Sequence, residues 1–87
     1  MDKLHKHILR RLYSYGYVGR RHTAREEMKQ GLPSHMKNMK LINEACDKLI
    51  KEGYLEHCHG DRISINRIKR REIAEIVRAW QNEANTT

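Results

Sequence analysis

The side chains with chemistry to offer are few. His5 and His7 stand two apart, as do His57 and His59, and the cysteines are Cys46 and Cys58. Residues two apart on a helix do not share a face, so His5 and His7 are no chelating pair. On a strand His57 and His59 alternate onto one side and would chelate only weakly. A structural zinc site wants four ligands, and neither Cys-x-x-Cys nor His-x-x-x-His spacing is present. Ser14, Ser34 and Ser64 have no triad-like spacing, and there is no Gly-rich phosphate loop or paired-carboxylate motif. These residues predict no metal, no cofactor and no enzyme. Two cysteines beside an adequate apolar fraction make no disulfide framework, so free thiols in a reducing cytosol are expected.

Charge is more informative. The 87 residues carry 18 Lys and Arg against 11 Asp and Glu, a net of +7. Residues 1–40 hold ten of the cations and only three acids (Asp2, Glu26, Glu27), whereas residues 41–87 hold eight of each sign. The whole surplus lies in the N-terminal half, the footprint of a polyanion binder; a charge kept for solubility is the plainer alternative. The length fits one domain. No apolar run approaches the ~20 residues that span a bilayer, and the opening residues lack a secretory signal's apolar run and cleavage site. The expectation is a cytoplasmic protein with no membrane partner.

The elements that must position these charges follow from periodicity. Leu4, Ile8 and Leu12, with Leu9 beside them, predict a helix over residues 2–14 with a basic opposite face. Gly16 and Gly19 interrupt, leaving Tyr17-Val18 as a very short strand. Thr23-Ala24-Arg25-Glu26 reads as a capping box opening a helix of about two turns, ended by Gly31 and Pro33. Ser34 caps a long helix to about Glu52, where Gly53 stops it; its core stripe is Met39, Ile42, Cys46 (or Ala45), Leu49 and Ile50. The period then becomes two, with Tyr54–Cys58 and Arg62–Ile65 as strands around the turn His59-Gly60-Asp61. Asn66 caps a last helix to roughly Ala84, followed by a frayed tail. The result is a single mainly α domain with a small β-hairpin, an α+β fold with its core over about residues 3–66 and a C-terminal helix over about 67–84.

The join Leu49-Ile50-Lys51-Glu52-Gly53-Tyr54-Leu55-Glu56, followed by a turn and Arg62-Ile63-Ser64-Ile65-Asn66, resembles a winged helix-turn-helix domain across about residues 3–77. Gly19-Arg20-Arg21-His22-Thr23 with Gly31-Leu32-Pro33-Ser34-His35 is similar to small stand-alone archaeal winged-helix proteins. The resemblance implies double-stranded DNA binding, usually as a homodimer and in transcription regulation. An RNA- or protein-interaction module on the same fold is the alternative.

In such a domain the second helix of the pair enters the major groove by its N-terminal residues. Mapped here, that helix begins at Ser34, and His35, Lys37, Asn38, Lys40, Leu41 and Glu44 are the groove-facing candidates. With the core direction taken from Ile42, Cys46 and Leu49, Lys37, Lys40 and Glu44 point nearly opposite, while His35 and Asn38 lie closer to the core side. The bland alternative is a solvated face with i, i+4 pairs such as Lys40–Glu44. Arg20 and Arg21 precede the Thr23-capped helix, whose free N–H groups suit a phosphate. Arg25 and Lys29 extend that surface, and Arg62 is the wing's contact, with Asp61 opposing. Ile73, Ile76, Val77 and Trp80 are too apolar for a solvated helix. They are expected at a dimer seam, with packing on the first helix of the same chain as the alternative.

Overall fold

Asp2 opens the first helix by accepting the His5 backbone N–H at 3.0 Å, satisfying one of the donors a helix start leaves orphaned. In the computed structural model, which describes residues 2–85, this helix, α1, spans Lys3–Ser14. It buries His5, Ile8, Leu9 and Leu12 and leaves Lys3 and Arg10 exposed. Tyr15 and Gly16 (φ 73°) end it.

The expected second helix does not form as read. Thr23 and Ala24 make a two-residue strand, β1, and Arg25–Lys29 is a short 3₁₀ segment with no side-chain cap. Thr23 pairs with Ile63 in the sheet and is buried. A cap is worth about 1 kcal/mol. Fully burying a residue such as Met28, which follows in the same segment, is worth about 1.5–3 kcal/mol. Thr23 is thus held in the sheet while Met28 is fully buried, and the capping box is not used.

The long helix also starts later than expected. Ser34–Met36 is a separate 3₁₀ turn, and α2 spans Met39–Lys51. The break is made by Asn38, whose side chain accepts the Lys40 N–H at 2.8 Å. Ile42, Ala45, Cys46 and Leu49 face the core. Gly53 (φ 87°) then turns the chain into β2, Leu55–His57, and β3 follows at Arg62–Ile65. The sheet order is β1–β3–β2, antiparallel throughout, so the last strand in sequence is the central one. The expected Tyr17-Val18 strand is reduced to a single parallel bridge from Val18 to Ile65.

Asn66 accepts the Ile68 N–H and donates to the Gly53 carbonyl, tying the last helix to the end of α2. A 3₁₀ turn over Arg67–Lys69 leads into α3, Arg70–Asn85. Thr86 and Thr87 of the expected frayed tail lie outside the described residues. Ile73 and Val77 close the core from this side, together with Ile63 and Ile65 of β3. The architecture is three helices around a three-stranded antiparallel sheet, with the third helix C-terminal. No described helix is long and apolar enough to cross a membrane.

Candidate nucleic-acid interface

The segment entering α2 is a bend pinned at two points. Met36 and Met39 are half-buried and pack on the core, while Ser34, His35, Lys37, Asn38 and Lys40 are exposed. Lys37 lies outside the helix (φ −80°, ψ 58°), so the helical-angle reading that placed it opposite the core does not apply; the bend exposes it instead. Asn38 is the helix cap, with its side-chain carbonyl oxygen engaged by the Lys40 N–H. Lys40 and Glu44 are exposed on α2, with Leu41 between them 42% exposed. The four ion pairs among the described residues include neither Lys37 nor Lys40, and the Lys40–Glu44 pair does not form.

Arg25 is a correction. It is 8% exposed, not part of a basic surface. Its Nη1 donates to Asp47 at 2.9 Å and to Asn43 at 3.4 Å, so it clamps the 25–29 segment against α2. On the other side His7 Nε2 donates to the Met28 carbonyl at 3.0 Å and ties the same segment to α1. Burial pushes the His7 pKa below its ordinary 6.5, against the pull of that carbonyl, which keeps the ring neutral near pH 7. Cys46, beneath α2, has its thiol pushed up to about 11 by burial; both cysteines are free.

The hairpin turn is closed by the Cys58 N–H on the Arg62 carbonyl at 2.8 Å, with Gly60 at φ 64°. Arg62 is exposed and donates to His22 Nδ1 at 3.5 Å across the sheet edge. His57 and His59 are exposed, and among the described residues no group of three or more His, Cys, Asp or Glu side chains is placed to hold a metal.

Arg20 and Arg21 are exposed but do not flank a helix start, because Thr23 and Ala24 are in the sheet. They belong to another cluster. The Gly19 N–H donates to the Ile65 carbonyl at 3.0 Å, and Ser64 Oγ donates to the Gly19 carbonyl at 2.9 Å. These bonds seat the 17–21 loop beside the exit of β3, where Arg67 lies on Gly19; a Cβ there would meet Arg67 Cδ at 3.0 Å. Arg21 folds over Gly16, its Nη1 3.6 Å from a Cβ added there. Arg67 thus stands at the same end of the sheet as Arg20 and Arg21, and Arg70 and Arg71, exposed like it, follow within the next turn of chain. Lys69 is taken by Glu72 at 3.3 Å and lies over the Tyr54 ring. Sequence reasoning missed this group. Its signal was the run Arg67-Ile68-Lys69-Arg70-Arg71, hidden when charge is averaged over residues 41–87.

The apolar stripe of α3 is divided. Ile73 and Val77 are buried within the chain, so that much of it covers the monomer. Ile76 and Trp80 are half-buried, and Arg10 of α1 lies 5.2 Å above the Trp80 ring. No protein-family model, curated protein or solved structure gives a significant match to this chain.

Proposed function

We propose that the chain is a winged-helix protein that binds duplex DNA, with the entrance to α2 in the major groove and the β2–β3 hairpin as the wing. The observation that carries this reading is the exposed, carboxylate-free Lys37–Asn38–Lys40 end of α2, held outward by the Met36 and Met39 anchors. The element order supports it: a helix, an edge strand, a short helical turn clamped to the next helix, then a hairpin whose second strand is central. Lysine and asparagine side chains at a helix start suit guanine and adenine edges or flanking phosphates. Ser34 and His35 precede them on the same bend, Glu44 follows on the helix, and Arg62 stands beside the tip of the wing. In this reading the protein is a small cytoplasmic transcription regulator, and its homodimer would use Ile76 and Trp80, the part of the α3 stripe not enclosed by the monomer.

The test is binding of random-sequence duplex at several salt concentrations, followed by enrichment of preferred sites. Lys37→Ala/Lys40→Ala should weaken binding on the order of tenfold and flatten the log–log salt slope by about two. An enriched inverted repeat would mark a sequence-reading dimer. A double variant that binds like wild type overturns the groove assignment, and preference for structured RNA over duplex transfers the surface to RNA.

A further inference from the structure

We infer that bound duplex does not stop at the wing: its backbone continues along the flank of the sheet, from Arg62 through Arg20 and Arg21 to Arg67, Arg70 and Arg71. This rests on the duplex-binding reading above and extends its surface to the start of α3.

Continuity is the first argument. Arg62 touches His22, the next residues back are Arg21 and Arg20, and Gly19 touches Arg67. The Val18–Ile65 bridge and the Thr23–Ile63 pair hold this stretch alongside β3 from end to end. A strand rises about 3.4 Å per residue, so β3 sets Arg62 roughly 10 Å from Ile65, beside which Gly19 and Arg67 meet.

The second argument is that the fold has no use for these charges where they stand. Arg67, Arg70 and Arg71 lie in the first turns of the helical run that Asn66 caps. That is the positive end of the helix dipole, where cations are unfavourable. Arg67 is also three and four residues from Arg70 and Arg71, the spacing at which like charges repel. None of the ion pairs among the described residues includes Arg20, Arg21, Arg67, Arg70 or Arg71. An external polyanion satisfies all of them. Ile68 is 88% exposed in their midst, and the acid next in sequence, Glu72, is taken by Lys69.

The experiment compares wild type, Arg67→Ala/Arg70→Ala/Arg71→Ala and the corresponding triple lysine variant, by salt-dependent anisotropy on a long duplex and by thermal melting of free protein. The alanine variant should bind on the order of tenfold more weakly and lose about two to three units of salt slope. The lysine variant should keep the slope, and the alanine variant should melt at higher temperature than wild type at low salt. An unchanged slope in the alanine variant, with Lys37→Ala/Lys40→Ala still impaired, overturns the track and leaves the duplex reading standing. A lower melting temperature for the alanine variant overturns the premise that folding does not need these charges. Wild type that fails to bind duplex even at low salt overturns the duplex reading, and the track with it.

Discussion

Arg25 shows how one side chain changes role between the line of the sequence and the folded chain. Among Arg20, Arg21 and Lys29 it reads as one more surface cation. Folded, its guanidinium is enclosed between the 25–29 segment and α2, with Asp47 at 2.9 Å and its Nε without a partner. A buried arginine is tolerable only when paired, and Asp47 supplies that pair from the next helix. Hydrogen bonds to charged groups contribute about 1.5–3 kcal/mol, and the exposure of Asp47 places this one toward the lower end. Arg25→Met, which keeps the apolar stem, should lower unfolding stability in urea by about 1–2 kcal/mol. It should leave the salt slope of DNA binding unchanged; a slope reduced by about one would return Arg25 to the phosphate contacts.

At the scale of elements, α1, the body of α2, the hairpin and α3 were legible because each carries its own period: Ile8 with Leu12, Ile42 with Cys46 and Leu49, Ile63 with Ile65, Ile73 with Val77. What escaped was decided by partners distant in sequence. Thr23 and Ala24 join a strand supplied by residues beyond the hairpin turn, and no local pattern announces that competition with the capping box. Ser34 and Asn38 are both good caps, and the outcome follows from where Met36 and Met39 find the core. The exposure of Lys40 and Arg62 was legible, and that of Lys37 follows from the bend instead; the grouping of Arg20 and Arg21 with Arg67 depends on the Gly19–Ile65 hydrogen bond. The division of α3 makes a prediction at this scale. Ile73→Ala should cost about 2–5 kcal/mol, independent of protein concentration, because Ile73 is wholly enclosed in its own chain. Trp80→Ala should cost less in folding but convert the proposed homodimer to monomer in sedimentation. An unchanged sedimented mass would remove Trp80 from the seam.

Over the whole molecule the charge asymmetry does not follow the halves of the chain. The neutral half places Arg62 beside His22 and Arg67 beside Gly19, next to Arg20 and Arg21, so a tally by sequence position understates how concentrated the cations are. The same mixing of early and late residues holds the core together. Of all its neighbours α1 packs most extensively on α3, and the two helices meet at Arg10 and Trp80. A ribosome delivers α1 well before α3, its principal partner. Until residues 70–77 have emerged, Ile8 and Leu9 lack much of their cover, and a chain cut after Asn66 should show little helix by circular dichroism. A folded 1–66 fragment would make α3 an accessory. Otherwise the apolar face of α1 stays uncovered until α3 has emerged, and any chaperone that meets the nascent chain before then does so through that face.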